Sequence, residues 1–257
     1  MSGEGMSGEG MSGEGMTEQR VAIVTGGSLG IGLAVVQAFA AKGFRVAALA
    51  RDLGRLEQAI AGIDGAVGIA ADVSDEADVV RAIGETVERF GRLDILVNSA
   101  GVSMSGKDRL VDTSSEEWHR IVDINLTGTY LMCREALPYL KTSPAAYILN
   151  VQSTGAYRAN AGVSLYAASK FGVRALTEAL IEEYRDSNVR ISSVSPGPVA
   201  TNIWSHKREP PAPELRARMM PAADVADIFV WLIDRPPYLH IPDITVTPWT
   251  TGRAASA

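Results

Sequence analysis

Val21-Ala22-Ile23-Val24-Thr25-Gly26-Gly27-Ser28-Leu29-Gly30-Ile31-Gly32 is an apolar run that passes straight into a glycine-rich turn. Four consecutive apolar residues suit a central strand buried on both faces of a parallel sheet. A helical pattern follows from Leu33 to Ala41 and stops at Lys42-Gly43. A glycine turn between a strand and a helix suits phosphate binding. Glycine lets the backbone approach a pyrophosphate, and the helix N-terminus favours the anion. The spacing Gly26-x-x-x-Gly30-x-Gly32 is one residue longer than the common dinucleotide fingerprint. A tight strand-to-helix turn without a ligand is the other reading.

The same alternation repeats along the chain. Arg45 to Ala50, Ala66 to Ala71, Leu93 to Val97, Ala145 to Val151, Val189 to Val194 and Ile241 to Val246 read as strands. Asp52 is placed to cap a helix running to about Ala61. Asp75 to Phe90 is amphipathic, with Val79, Val80, Ile83, Val87 and Phe90 apolar, and Gly91 stops it. Ser114-Ser115-Glu116-Glu117 has the form of a capping box and opens a long helix to about Leu140. Ser164 to Asp186 and Ala222 to Ile233 are helical too. Strands alternating with helices predict one α/β domain, a doubly wound parallel sheet of about seven strands with helices on both faces. Residues 198–221 hold five of the twelve prolines, so this stretch is expected to be irregular.

The 257 residues are enough to bury a sizeable core. Hydrophobic residues at 46% and charged residues at 21% exclude a disordered chain. Of the net charge of −6, Glu4, Glu9 and Glu14 supply three, and no basic patch suggests nucleic acid. Those glutamates belong to three copies of Met-Ser-Gly-Glu-Gly. This low-complexity stretch has nothing to bury, so residues 1–16 are expected to be a flexible tail and 17–257 a single domain. The only cysteine is Cys133, which excludes a disulfide framework and points to a reducing cytoplasm. No apolar run reaches the roughly 20 residues that span a bilayer, and no secretory signal pattern opens the chain. His119, His206 and His240 have no metal-ligand spacing, and no metal is expected.

A second stretch carries chemistry. Ser153 ends the apolar run Tyr147-Ile148-Leu149-Asn150-Val151, and Tyr166-Ala167-Ala168-Ser169-Lys170 follows. Four residues apart on a helix, Tyr166 and Lys170 share a face. A free phenol, with a pKa of about 10, is too weak an acid-base for neutral pH, and a neighbouring cation lowers that value. A surface Tyr–Lys couple is the alternative. At the end of the second strand, an acid would select NAD(H) and an arginine would accept the 2′-phosphate of NADP(H). Ala50 is not acidic and Arg51 follows, with Ser28 in the loop as a further donor, so NADP(H) is favoured over NAD(H). Arg51 as a solvated charge, or paired with Asp52 or Glu57, is the other reading.

Taken in order, Thr25-Gly26-x-x-x-Gly30-x-Gly32, Asp72, Asn98-Ser99-Ala100-Gly101, Asn125, Ser153, Tyr166-x-x-x-Lys170 and Pro196-Gly197 resemble the short-chain dehydrogenase/reductase family. The resemblance covers Val21 to Val246. It implies a Rossmann-like fold, a small carbonyl or alcohol substrate, and a homodimer or homotetramer through the helices near 115–140 and 164–186. It implies Tyr166 as general acid-base, and Lys170 as the group that lowers the Tyr166 pKa and bonds the nicotinamide ribose. Ser153 would bond the substrate oxygen, and Asn125 would hold a relay water. The cofactor would be met by Gly26, Ser28, Leu29, Gly30, Ile31 and Gly32 in the loop. Asp72 and Val73 would meet adenine, Asn98, Ala100 and Gly101 the adenosine ribose, and Pro196, Gly197, Val199 and Thr201 the nicotinamide. Asn98 and Asn125 as partners of buried backbone groups is the plainer reading of those two.

The chain departs from the family at Ser99, at Gln152 and at its C-terminus, Ile244-Thr245-Val246-Thr247-Pro248-Trp249, which lacks the usual Asp-Gly-Gly. Val102 to Lys107, Thr154 to Val163 and residues 198–221 should wall the substrate pocket, with 201–213 as a mobile lid carrying Trp204 and His206. Cys133, Tyr147 and Tyr157 are read as packing residues. An NAD-linked alcohol dehydrogenase and a non-catalytic nucleotide-sensing module are the alternatives to an NADPH-dependent reductase.

Overall fold

The computed structural model describes residues 19–249, and the expected tail at 1–16 lies outside the described residues. Seven strands form one sheet: β1 Val21–Thr25, β2 Arg45–Ala50, β3 Ala66–Ala70, β4 Ile95–Asn98, β5 Ala146–Val151, β6 Val189–Pro196 and β7 Asp243–Val246. Their spatial order is β3-β2-β1-β4-β5-β6-β7, every pair parallel. The order reverses between β1 and β4, and in such sheets a ligand crevice opens outside the carboxyl ends at that point. β1 is buried at all five positions, which is why its sequence is continuously apolar.

The helices are α1 Gly30–Ala41, α2 Leu53–Ile60, α3 Glu76–Phe90, α4 Ser115–Val122, α5 Gly128–Leu140, α6 Ser164–Glu183, α7 Pro213–Arg216 and α8 Ala222–Ile233. Alternate strand residues feed two cores. Val21 and Ile23 pack with α3, α5 and α6, and Ala22 and Val24 pack with α1, α2 and α8. A small third cluster, Met104, Ile121 and Leu165, lies under the loops beside the cleft. Among the described residues no helix is long and apolar enough to cross a membrane.

Three expectations shift. The fourth strand is Ile95–Asn98, and Asp94 just before it bonds to Val21 and Tyr147 through its backbone while its side chain serves as a buried anchor. Its carboxylate accepts from the Val21 N–H at 2.8 Å, from Ser143 Oγ at 2.5 Å and from Arg92 Nη2 at 2.8 Å. The long helix is interrupted between α4 and α5 by one π-helical turn, Asp123–Thr127, which holds Asn125. Such turns insert a residue and gather at functional sites. Ser114 caps α4 at Glu117 N as expected. Glu117 does not close the box and instead accepts from the Ser105 N–H at 3.0 Å. The irregular stretch contains a 3₁₀ turn at Asn202–Trp204, the short α7 and a parallel bridge between Val199 and Met220.

Candidate active site

A cleft of about 1620 Å³ opens at the carboxyl ends of the strands. Its floor at one end is the glycine loop. Gly26 has φ +68°, and a Cβ there would stand 3.0 Å from Ala100 Cα, so the loop after β1 lies directly on the loop after β4. The Thr25 hydroxyl locks the two together by accepting from the Ser99 and Ala100 N–H groups, each at 2.9 Å. The parallel register Val24↔Val97 brings the Thr25 side chain to the end of β4. Asp52, Asp75 and Ser114 cap α2, α3 and α4 with side-chain hydrogen bonds, but α1 has no side-chain cap and no acid in its first turn. Its free N–H groups, with Gly26, Ser28, Leu29, Gly30 and Ile31 lining the cleft, fit an anionic pyrophosphate.

Gly32 is corrected from cofactor contact to packing residue. It does not line the cleft, and a Cβ on it would stand 2.3 Å from the Gly26 carbonyl oxygen. Its role is to let α1 begin tight beneath the loop.

Arg51, Asp72 and Val73 line the cleft past β2 and β3. Arg51 pairs with neither Asp52 nor Glu57. Its Nη1 stands 3.9 Å from Asp72 Oδ2, and its side chain is 66% exposed. Asp52 caps α2 by accepting from Arg55 N at 3.0 Å. Asp72 Oδ1 accepts from Ser74 N and Ser74 Oγ, which orients the carboxylate and leaves Oδ2 toward Arg51.

At the other end Ser153, Tyr166 and Lys170 line the same cleft. Ser153 follows β5, and Tyr166 sits in the first turn of α6. Gly155 lies between them: a Cβ there would be 3.4 Å from both Ser153 Oγ and Tyr166 Cε1. Burial pushes the Tyr166 phenol above its ordinary pKa, and a hydrogen bond with the Ser153 hydroxyl pulls it part of the way back. The expectation that Lys170 lowers this pKa is not met in this state. Lys170 donates to the Val151 carbonyl at 3.0 Å, and burial without a carboxylate partner pushes its own pKa down to about 8.

Asn125 and Asn98 do not line the cleft. Asn125 donates to Val102 O at 2.9 Å and Ser169 Oγ at 3.0 Å, and accepts from Val102 N at 2.8 Å. It clamps the loop after β4 onto α6. A Cβ on Gly101 would be 3.4 Å from Asn125 Oδ1 and 3.7 Å from Lys170 Nζ, so both groups converge on Gly101 from below. Asn98 is turned into the core, donating to Asn150 Oδ1 at 2.9 Å and Cys133 Sγ at 3.3 Å. Ala100 and Gly101, not Asn98, reach the cleft.

Pro196, Gly197, Val199 and Thr201 line the cleft beyond β6, and a Cβ on Gly30 would stand 3.1 Å from Thr201 Cβ, so this segment closes against the glycine loop. Residues 207 and 208 of the expected lid are bonded to the loop after β4. Arg208 N donates to Ser105 O at 2.7 Å, Lys207 Nζ donates to Met104 O at 2.6 Å, and Arg208 pairs with Asp108. Lys207 and Arg208 were missed, since lone cations in a proline-rich loop give no periodic signal. Trp204 lines the cleft and donates its indole N–H to Val199 O at 2.7 Å, while His206 lines it without a partner among the described residues. Gln152 reaches Ser193 Oγ on the neighbouring strand at 2.7 Å. Cys133 is buried, its thiol pushed up to about 12 by desolvation. Among the described residues no three His, Cys, Asp or Glu side chains gather in a way that could hold a metal.

Comparison with known proteins agrees with this geometry. A family model described as short chain dehydrogenase matches residues 20–212. A 2-(R)-hydroxypropyl-CoM dehydrogenase from Xanthobacter autotrophicus is 36% identical over 83% of this chain and 90% of its own length. A 3-ketoacyl-(acyl-carrier-protein) reductase from Brucella melitensis, solved with NADH, is 30% identical with a TM-score of 0.83, covering 90% of this chain and 98% of that one. An alcohol dehydrogenase from Thermococcus sibiricus, complexed with 5-hydroxy-NADP, is 27% identical with a TM-score of 0.81, covering 89% and 96%. The chain belongs to the short chain dehydrogenase family and is an oxidoreductase of alcohol and carbonyl groups that works with a nicotinamide cofactor.

Proposed function

We propose that the protein reduces a small carbonyl compound to its alcohol, or runs the reverse, with NADP(H). The observation that carries this reading is the convergence of the Ser153 hydroxyl, the Tyr166 phenol and the Lys170 ammonium in one cleft with the uncapped start of α1. The bound nicotinamide supplies or accepts the hydride. Tyr166 gives its proton to the carbonyl oxygen in reduction and takes it from the hydroxyl in oxidation. Ser153 holds the same oxygen, and Lys170 offsets the negative charge left on Tyr166 and bonds the nicotinamide ribose. Asn125 keeps Val102 and Ser169 in place beneath.

The preference for NADP(H) rests on Arg51, exposed at the cleft edge where β2 ends. Asp72 opposes it by sharing the guanidinium at 3.9 Å, a weak pairing that a 2′-phosphate outcompetes. Of the solved relatives, one was complexed with 5-hydroxy-NADP and another with NADH. Titration with each reduced cofactor, read by energy transfer from tryptophan, tests the point. NADPH is expected to bind at least about tenfold tighter than NADH, about 1.4 kcal/mol. Arg51→Gln is expected to remove most of that difference, and an unchanged ratio refutes the assignment.

The same reading holds 17–257 to be one domain, in a reducing cytoplasmic setting that the free, buried Cys133 supports. It pairs copies of the chain through α5 and α6, where Tyr130, Tyr139 and Phe171 are exposed. Light scattering on the purified protein, giving a dimer or tetramer mass, is the check.

A further inference from the structure

The outer wall of the cleft carries more positive charge than the protein neutralises. Lys107 and Arg158 line it and are exposed, and neither side chain has a carboxylate or hydrogen-bond partner among the described residues. They belong to segments that touch. A Cβ on Gly162 would stand 2.9 Å from Lys107 Cβ and 3.1 Å from its Cα, so the loop between Arg158 and α6 lies on the Lys107 backbone. Lys207 joins them from the lid. Its ammonium is held by neutral oxygens only, Ser103 Oγ at 3.0 Å and Met104 O at 2.6 Å. Burial lowers its pKa, Glu117 and more weakly Asp108 pull it back, and Lys107 repels its charge, which places the two lysines in each other's field.

The carboxylates of this wall are mostly committed. Asp108 pairs with Arg208, and Glu117 takes the Ser105 N–H and stands 3.6 Å from Arg120. Glu116 accepts from the Ser114 hydroxyl and its own N–H at the start of α4. Among the described residues of this wall, Glu209 alone has no partner. Two uncommitted cations, and a third whose ammonium is hydrogen-bonded to neutral oxygens, therefore face one uncommitted carboxylate. One exposed charge is worth little, but several at a cleft mouth raise the local concentration of anions.

We infer that the substrate carries an anionic group, a carboxylate, sulfonate or phosphate, on the arm that leads away from Ser153 and Tyr166, and that Lys107, Arg158 and Lys207 receive it. The inference rests on the carbonyl-reduction reading only for placing the reacting oxygen at Tyr166.

Binding without turnover tests it. The ketone acids 4-oxopentanoate, 5-oxohexanoate and 6-oxoheptanoate are compared with their primary amides, which keep the length and the ketone and lose the charge. Each is titrated by ligand-observed NMR into the whole protein saturated with NADP⁺, and in parallel with NAD⁺, so that no ketone is consumed. For at least one length the carboxylate is expected to bind at least about tenfold tighter than its amide. The preference is expected to fall below about threefold in high salt, where exposed charges are screened, and in K107Q/R158Q. Equal affinities, a preference that survives the double substitution, or no carboxylate binding at any length overturns the inference. Should the double variant not fold, the salt series on the unsubstituted protein and R158Q alone decide. Turnover is then read with the reduced cofactors. A carboxylate that binds tightly but is never reduced keeps the anion site and sinks the reductase reading. A ketone reduced equally well as acid and amide does the reverse.

Discussion

Tyr166→Phe is expected to lower kcat by about a thousandfold while leaving the affinity for the reduced cofactor within a few fold. The substitution removes one hydroxyl and keeps the ring, so the packing of α6 against the loop after β5 is conserved. Proton transfer by a positioned side chain contributes about 10²–10⁴-fold, and a thousandfold loss is about 4 kcal/mol of barrier. The lost group is also the partner of Ser153, whose hydroxyl retains the Gly155 N–H at 3.1 Å and so stays in place. Steady-state rates beside a cofactor titration make the check. A loss under tenfold would remove Tyr166 from the chemistry. An unaltered partner interaction in a protein with no turnover at all would favour a nucleotide-sensing module on the same fold.

Lys170→Met should act in opposite directions on activity and stability. The ammonium is 6% exposed and has no carboxylate beside it. Its pKa is about 8 in the folded chain against 10.5 ordinarily. Below pH 8 both folded and unfolded chains hold the proton, and the fold bears the full cost of burying the charge, roughly 3 kcal/mol by linkage. Between about pH 8 and 10.5 the unfolded chain holds a proton that the folded one has released, so stability rises with pH across that window. Methionine removes the cost and forfeits the bond to Val151 O, worth about 1 kcal/mol and more if the carbonyl is left dry. The net expectation is a gain of about 1–2 kcal/mol at pH 7 without cofactor, which falls through zero between about pH 8 and 10.5 and becomes a loss of about 1 kcal/mol by pH 10.5. Activity should fall by about a hundredfold or more. For the unsubstituted enzyme, kcat/KM for reduction should decline above about pH 8 as the ammonium that balances the Tyr166 phenolate is lost. Denaturant titrations at pH 7 and pH 10 decide: equal stability changes at both would show that Lys170 carries no buried-charge cost.

The layout of the sheet was legible because each strand from Val21 to Val246 is marked by an apolar run, and the starts of α2, α3 and α4 by Asp52, Asp75 and Ser114 at their caps. The reacting end was legible too, since Ser153, Tyr166 and Lys170 need only local spacing and one strand-to-helix turn to meet. What stayed hidden depends on contacts distant in sequence. Asn98 and Asn125 were legible as partners of buried groups, but only the packing of α5 and α6 shows that one serves the Asn150 and Cys133 side chains and the other clamps Val102 to Ser169. The π-helical turn has no composition of its own. Arg51 facing Asp72 follows from β2 pairing with β3, which spacing alone does not reveal. Gly32 resembles its neighbours in the loop until the Gly26 carbonyl is seen behind it.

The place of β1 in the sheet has a consequence for how the chain is made. β1 is the first strand to be synthesised, yet it lies at the centre of the sheet, and one of its two neighbours is β4. The bond from the Val21 N–H to Asp94 spans 73 positions. At about 5–20 residues per second, a ribosome needs roughly 4–15 s to deliver that partner. Through that interval the βαβ unit of β1, α1 and β2 exposes a bare apolar edge of five residues, the kind of edge that pairs with other chains. Folding of the newborn protein is therefore governed by how well that edge is shielded until Ile95 to Asn98 arrive.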